Sequence, residues 1–240
     1  MKPSETFSDA IARARRLLLL HDGLVDVRKY RIRKDWAKSF CKLMQWPVSA
    51  KIERVDSVAA VVVLRAGAQL APADFAKESL EDLLRAALTL GVSALDRYVH
   101  ERVVKGIVAA LSRPSLNRAQ QKLPIPAALA LKISRKVLAA GSSGKPIRPA
   151  NELRNELQEA LHRRTFQSWR EVETAFELIG VTGLTSKVQA AYGAASTTAF
   201  QDRLDEIAKR RNQIVHEADL VRHQRGGRPR HHPITRGFVA

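Results

Sequence analysis

The amino-acid sequence predicts an all-α protein: a helical bundle with an additional basic helical region at its N-terminus. The composition supports this prediction, because Ala, Leu, Arg, Glu and Lys dominate while runs of β-branched residues are few. Apolar residues also recur at helical spacing along most of the chain. With 240 residues, of which 45% are hydrophobic, the chain can form a sizeable core.

The predicted N-terminal arm covers residues 1–70. A basic amphipathic helix is expected over 8–22, with Ser8 as its N-cap. A second helix is expected to begin near Lys34 or Asp35, because large apolar residues then recur every four positions, at Trp36, Phe40 and Met44. The apolar run 58–64 fits a buried strand or a buried helix, and its helical surroundings favour a helix.

A helical core is predicted for residues 71–222, followed by a basic tail over 223–240. Its longest helix is expected over 73–112, where Gly91 would mark a close approach of another helix. Shorter helices are expected over 126–140, 151–163 with Asn151 as the N-cap, 169–179, 187–192, and from Gln201 to about Leu220.

The net charge of +17 indicates a polyanionic partner, of which nucleic acid is the commonest. A generally solvated basic surface is the other interpretation. Cys41 is the single cysteine, which excludes an intramolecular disulfide and a cysteine-built zinc site. The N-terminus lacks the apolar core of a signal peptide, so we expect a cytoplasmic protein without membrane contact.

The segment from Arg211 to His216 carries the candidate catalytic residues, and it lies on the last long helix predicted from the sequence. Asn212 and His216 are four residues apart, so their side chains lie on nearly the same face, about 40° apart. Arg211 can reach toward the histidine through its long stem, and Arg210 adds positive charge. Histidine side chains titrate near neutrality, and a guanidinium fork suits phosphate. The pattern therefore predicts a general base next to a phosphate-binding group.

The same residues have a structural alternative, which their spacing leaves open. Arg211 and His216 can form ordinary salt bridges with nearby acids, of which the sequence offers Glu206, Glu217 and Asp219. The catalytic interpretation needs a second group to act as the acid. A two-fold dimer that brings this helix against its copy would supply a second His216.

The segment Arg210-Arg211-Asn212-Gln213-Ile214-Val215-His216-Glu217-Ala218-Asp219 resembles the signature helix of HEPN domains, R-x(4–6)-H, in which a polar residue usually follows the arginine. Further segments resemble one branch, the RiboL-PSP-HEPN family, and the likeness covers roughly residues 75–236. These segments are Leu84-Arg85-Ala86-Ala87-Leu88 through Ser93 to Glu101, Arg164-Thr165-Phe166-Gln167-Ser168, Leu178-Ile179-Gly180-Val181 and His232-Pro233-Ile234-Thr235.

The resemblance implies a dimeric all-α endoribonuclease of toxin–antitoxin, phage-defence or RNA-processing systems. Arg211 would bind and polarise the scissile phosphate, His216 would be the general base or acid, and Asn212 would orient one of them. The products would carry 2′,3′-cyclic phosphate and 5′-hydroxyl ends, with no metal or cofactor required. The implied partners are RNA, a second copy of the chain, and an antitoxin or sensor protein. The alternative is a non-catalytic HEPN module that binds RNA or a partner protein.

The sequence departs from the family at two places. Some HEPN toxins carry a regulatory tyrosine two residues after the histidine, whereas this chain has Ala218 there. Relatives also continue into a further helix at the position of Phe238-Val239-Ala240.

Asp96 and His100 form a second polar pair at helical spacing. As supporting residues they would line the cleft of the catalytic helix. As structural residues they would form an i,i+4 salt bridge on the helix surface, as would Arg97 and Glu101. The histidines His223, His231 and His232 lack nearby cysteines or well-placed carboxylates, so no metal site is predicted there.

Overall fold

The computed structural model describes residues 2–25, 28–30, 34–47, 52–56, 61–65, 69–110, 115, 118–121, 127–143, 149–162, 164–192, 197–221 and 230–240. The chain is predominantly helical, which confirms the predicted fold class. The helices are α1 (Pro3–Leu24), α2 (Lys34–Leu43), α3 (Lys77–Ala110), α4 (Arg118–Gln121), α5 (Ala127–Ser143), α6 (Pro149–His162), α7 (Trp169–Leu178), α8 (Leu184–Tyr192), α9 (Thr197–Glu217) and α10 (Arg236–Val239). A 3₁₀ turn, Pro72–Phe75, precedes α3.

The chain divides into two compact units. Unit 1 comprises Met1–Asp9 and Val92–Arg210, and unit 2 comprises Ala10–Gly91 and Arg211–Ala240. The divisions fall within α1, α3 and α9, so these three helices contribute residues to both units. The boundaries predicted from the sequence, at residues 70 and 222, stay a prediction.

The core of unit 1 forms around the second half of α3. Its fully buried members are Val99, Val103 and Ala175, and apolar residues of α6 and α7 complete it. The remaining buried members are Val104, Ile107, Leu161, Phe166 and Val172. The helical spacing of the α3 members explains why this stretch forms a continuous helix: each turn places another apolar side chain on the same buried face.

The start of α7 is held by three polar groups. Ser168 caps the helix by accepting a hydrogen bond from the backbone N–H of Glu171, whose side chain faces back in a capping box. The carboxylate of Asp205, on α9, accepts the backbone N–H of Trp169 at 2.7 Å. The helix ends before Gly180, which has a φ of 82°. The predicted helix over 169–179 is therefore confirmed to within a residue.

The N-terminal region differs from the prediction in two respects. Helix α1 begins at Pro3, so Ser8 lies within the helix and is not its N-cap. The first turn is closed instead by Glu5, whose side chain accepts the backbone N–H of Lys2 at 2.8 Å. Proline is well suited to a first turn, because its missing N–H has no helical partner there. Helix α2 begins at Lys34, as predicted.

The predicted helix over 58–64 is wrong for residues 61–64, and residues 58–60 lie outside the described residues. Strands β2 (Ile52–Asp56) and β3 (Val61–Arg65) pair antiparallel, with Ile52 opposite Arg65 and Asp56 opposite Val61. Strand β1 (Arg28–Tyr30) pairs with the other edge of β2, in the order β1-β2-β3. Consecutive β-branched valines favour extended backbone, but only a neighbouring strand can satisfy its hydrogen bonds. The sequence of a short apolar run does not show whether such a neighbouring strand is present.

Several helix boundaries in the second half of the chain also differ from prediction. Helix α5 continues to Ser143, past its predicted end at residue 140. Helices α8 and α9 begin at Leu184 and Thr197, three and four residues before their predicted starts. Helix α6 begins at Pro149, so Asn151 lies inside it and is not the N-cap. Of the predicted basic tail, residues 223–229 lie outside the described residues and 230–240 lie within them.

The glycine that a helix approaches closely is Gly106. A Cβ built at Gly106 would overlap Cγ2 of Ile179, whereas one at Gly91 meets none of the described residues within 4 Å. The prediction for Gly91 is therefore wrong. A glycine within a helical pattern can indicate a close contact with another element. The local sequence does not show at which glycine this occurs, because the contacting side chain comes from a distant segment.

We expect Gly106→Ala to lower the free energy of unfolding by ~1 to 3 kcal/mol, because Ile179 must move from a packed position. Gly91→Ala is the matched control and should stabilise by about 0.5 to 1 kcal/mol, as alanine does within a helix. Urea denaturation of both variants measures this. Ile179→Ala should recover part of the loss in the Gly106→Ala background, and an additive loss would contradict the proposed clash.

Candidate active site

The end of α9 carries the three residues singled out by the sequence. Asn212 and His216 are one helical turn apart, and both side chains are exposed. Arg211 is partly buried, and its Nη1 donates a hydrogen bond to Oδ1 of Asn212 at 3.0 Å. The amide of Asn212 therefore holds the guanidinium at the start of the turn that ends in His216.

Neither Arg211 nor His216 has a carboxylate partner within the part of the chain that the structure describes. The Nε–H of Arg211 is buried and has no acceptor among these residues. Glu206 pairs with Arg203 at 2.8 Å, and Asp219 pairs with Arg85 at 2.6 Å. Two of the three acids in the salt-bridge interpretation are thus bound to other arginines. The positive charge of Arg211 is available to an anion.

The chain leaves α9 through an unusual turn immediately after His216. Ala218 and Asp219 have φ values of 50° and 58°, in the left-handed region that non-glycine residues seldom adopt. The turn is closed by a hydrogen bond from the backbone N–H of Asp219 to the carbonyl of Gln213 at 3.2 Å. An aspartate tolerates this conformation better than most residues, but tertiary contacts must hold two such residues in succession.

Those contacts come from Arg85 on α3. Its Nε donates to Oδ2 of Asp219 at 2.6 Å, and its Nη2 donates to the carbonyl of His232 at 2.8 Å. Both charged residues are buried, with 7% of Arg85 and 1% of Asp219 exposed. Glu81 and Asp82 also accept hydrogen bonds from the same guanidinium, at 3.3 and 3.1 Å. The position three residues after His216 is therefore fixed to α3.

Burial alone would lower the pKa of Arg85, because it disfavours the charged guanidinium. The hydrogen bond and charge of Asp219, together with Asp82, outweigh that effect and raise the pKa of Arg85 above its ordinary value. A raised pKa gives a stabilising contribution that is complete below the ordinary arginine value and is lost only as the pH rises through the higher one. The ion pair is therefore intact throughout the neutral range.

The C-terminal segment closes against the same turn. Leu220 and His231 form an antiparallel bridge, and the backbone N–H of His232 donates to the carbonyl of Asp219 at 2.9 Å. Ile234 beyond it is buried, with 4% exposed. Helix α10 then begins after Thr235, whose side chain accepts the backbone N–H of Phe238. The turn after His216 is therefore held both by Arg85 on α3 and by the C-terminal segment.

Asp96 and His100 have structural partners in unit 1. Oδ1 of Asp96 accepts the backbone N–H of Phe166 at 2.5 Å. Nε2 of His100 lies 3.0 Å from the carbonyl of Arg164, which requires a proton on Nε2. Together they hold the segment that leads into α7. The nearest atoms of the two side chains are 3.8 Å apart, and the predicted surface pair Arg97–Glu101 is present at 3.0 Å.

The same polar pair lines an open cleft of about 370 Å³ in unit 1. The other lining residues are Arg97, Glu101, Val104, Gln158 and His162. Arg211 and His216 belong to unit 2. The supporting role predicted for Asp96 and His100 toward the catalytic helix stays a prediction.

The sequence-based prediction missed Arg85 and assigned Asp219 only as a candidate surface partner. A signal was present: Arg85 lies three residues before Leu88 and seven before Val92, both buried on the same face of α3. A charge on an apolar face requires a buried partner. Helical periodicity places Arg85 there, but it does not identify Asp219, 134 residues away.

No family model, no curated protein and no solved structure matches this chain. Within the described ranges, no three His, Cys, Asp or Glu side chains are grouped as a metal ion would require. Among the same residues, no helix combines the length and apolar character needed to cross a membrane.

Removal of one member of the buried ion pair should be far more costly than removal of both. Arg85→Met leaves the Asp219 carboxylate buried without its cation, and we expect a loss of about 3 to 5 kcal/mol in the free energy of unfolding. The double variant Arg85→Met/Asp219→Asn should recover much of that loss, because asparagine removes the unpaired charge and tolerates the left-handed backbone at this position. Urea denaturation at neutral pH measures both.

Arg203→Met is the matched control, because it breaks the pair with the exposed Glu206 and should cost less than about 1 kcal/mol. A double variant as unstable as Arg85→Met would show that the ion pair itself is not what the turn requires.

Proposed function

We propose that this protein is a metal-independent endoribonuclease of the HEPN type. The observation that carries the proposal is the end of α9, where Arg211 is hydrogen-bonded to Asn212 and lacks a carboxylate partner among the described residues, one turn before the exposed His216. A base and a guanidinium without a carboxylate partner, both on the last turns of one helix, are the groups that cleavage of RNA by its own 2′-hydroxyl needs. The net charge of +17 supports a polyanionic substrate.

His216 would accept the proton of the 2′-hydroxyl as its oxygen attacks the adjacent phosphorus. The bond from phosphorus to the 5′-oxygen breaks, and that oxygen takes a proton from a second, protonated imidazole. The products are a 2′,3′-cyclic phosphate and a 5′-hydroxyl, with no water consumed in this step. Arg211 would stabilise the negative charge that develops on the non-bridging oxygens, and Asn212 would orient Arg211 through the hydrogen bond that it already accepts.

The second imidazole would come from the His216 of another copy of this chain. One α9 supplies one histidine, so a two-fold arrangement with α9 facing its copy completes the acid–base pair. Arg210 precedes Arg211 in this helix and would add positive charge near the substrate. A toxin or phage-defence role, with an antitoxin or sensor as partner, follows from the same proposal. A non-catalytic HEPN module that binds RNA or a protein partner is the second candidate.

We expect His216→Ala and Arg211→Ala each to reduce RNA cleavage by roughly 100-fold or more, as loss of a general base or of an oxyanion donor does. Both side chains are at least partly exposed, so the fold should survive. Purified protein is incubated with total RNA in excess chelator, and the fragment ends are analysed for cyclic phosphate. Circular dichroism checks the fold.

Arg154→Ala is the matched control on α6, because its side chain is exposed and far from α9 in the sequence. It should leave the rate unchanged. Cleavage that requires magnesium, or wild-type protein that binds RNA without cutting it, would reject the ribonuclease and favour the binding module. Growth arrest on expression, relieved by His216→Ala, would support the toxin role.

The shared-site arrangement predicts that activity depends on association. Dilution below the dissociation constant of the dimer should reduce the rate per chain, because the isolated protomer retains one histidine. Sedimentation velocity at matched concentrations locates that dissociation constant. A rate per chain that stays constant while the dimer dissociates would contradict the shared site and leave single-chain catalysis.

A further inference from the structure

The second half of α1 exposes two consecutive leucines to solvent. Leu19 is 66% exposed and Leu20 is 53% exposed. The other face of the same turns is buried, since Ala14, Leu18 and His21 are each 7% exposed. The apolar face of this helix is therefore already covered, and the two leucines lie outside it. Single exposed apolar residues are ordinary, whereas neighbouring ones can form the centre of a contact surface.

Arginines flank these leucines on the exposed side of α1. Arg15 precedes Leu19 by four residues and lies about 40° from it around the helix axis. Arg16 lies between the two leucines, about 60° from Leu19 and about 40° from Leu20. Both arginines are exposed, and neither has a carboxylate partner among the described residues. These four residues, Arg15, Arg16, Leu19 and Leu20, are called the α1 patch below.

The acids of α1 nearest to the patch are engaged elsewhere. Both oxygens of the Asp22 carboxylate accept hydrogen bonds from Nε of Arg236, at 3.1 and 3.0 Å. Nδ1 of His21 lies 3.2 Å from the same carboxylate. Asp9, two turns before Arg16, has an interaction of its own. The patch therefore keeps the charge of its two arginines, on a helix whose end is held by the C-terminal segment. A preformed surface lowers the entropic cost of binding a partner.

Charge and exposed leucines together select the class of partner. The same patch on a second copy of this chain would bring like charges together. A nucleic acid would bind the arginines through its phosphates, but it would leave the leucines without a matching group, and the patch has no aromatic ring on which a base could stack. A bilayer would require the apolar face of the helix, which is already buried within the protein. A protein segment that combines carboxylates with apolar side chains matches both features.

We propose that the α1 patch binds an acidic amphipathic helix of another protein. Carboxylates of the partner pair with Arg15 and Arg16, whose guanidinium groups can each bind two oxygens. Apolar side chains of the partner, three or four residues apart, cover Leu19 and Leu20. An extended partner would need a free sheet edge, which a helix does not offer. The proposal goes beyond the proposed function and does not rest on ribonuclease activity.

The experiment measures binding of a synthetic acidic helix to the full-length protein. The probe is a fluorescein-labelled peptide with leucines at three- and four-residue spacing and glutamates at the flanking positions, and its anisotropy reports binding. We expect Arg15→Gln and Arg16→Gln each to weaken binding about three- to fivefold, the effect of losing one exposed ion pair. Leu19→Gln and Leu20→Gln should each weaken it about tenfold, because glutamine keeps the helix propensity of leucine and loses its apolar surface.

Matched controls separate the α1 patch from general attraction to a basic protein. Leu138→Gln changes a leucine that is 74% exposed on α5, and Arg154→Gln changes an exposed arginine on α6. Both should leave the affinity unchanged. A second peptide, with the same glutamates and with every leucine replaced by glutamine, should bind the wild-type protein about tenfold or more weakly than the probe. Circular dichroism checks the fold of each variant.

Three outcomes would overturn the proposal: wild-type protein that does not bind the acidic helix, equal affinity for the peptide without leucines, or unchanged affinity in all four patch variants. Patch-dependent binding of a 2′-O-methyl RNA oligonucleotide or of phosphatidylserine vesicles, tighter than that of the peptide, would also overturn it and assign the patch to nucleic acid or to a membrane. Cleavage of RNA is measured separately, so failure of either proposal leaves the other standing. The patch variants should cleave RNA at the wild-type rate, because none of them changes the end of α9.

Discussion

The buried ion pair between Arg85 and Asp219 is the interaction on which the candidate site depends. Removing two charges from water costs several kcal/mol per ion, and only close contact with additional hydrogen bonds compensates for it. Here the compensation comes from a 2.6 Å contact and from the carbonyl of His232. The same contacts hold Asp219 in a left-handed turn directly after α9. One interaction therefore joins α3, the end of α9 and the C-terminal segment of unit 2.

The charged residues near this turn fall into two groups: those that pair with each other and hold the structure, and Arg211, which has no described carboxylate partner. Asp219 neutralises Arg85 in the interior, and Glu206 pairs with Arg203 at the surface. Arg211 is bound to a neutral amide and keeps its full positive charge. In the proposed function, a substrate phosphate would therefore meet a guanidinium that no described carboxylate neutralises. If Arg211 were also paired with a carboxylate, the surface would contain the same residues but would present no unpaired guanidinium to an anion.

In the proposed function, the end of α9 would supply a base and a cation, which would act on the reacting phosphate and not on the nucleobase attached to it. Asp96 and His100 have a structural task in unit 1, because they hold the segment before α7.

Local pattern determined several elements of this protein and failed at others for a physical reason. The start of α2 at Lys34 and the extent of α7 follow from apolar spacing and from the capping residue Ser168, which are local properties. The strand pairing of 61–65 and the helix approach at Gly106 required partners that the local sequence does not specify. For the candidate site, the sequence by itself determined that Asn212 and His216 share a helix face. Tertiary structure alone decided that Asp219 pairs with Arg85, because the two residues are 134 positions apart and buried charges find their partners by proximity in space.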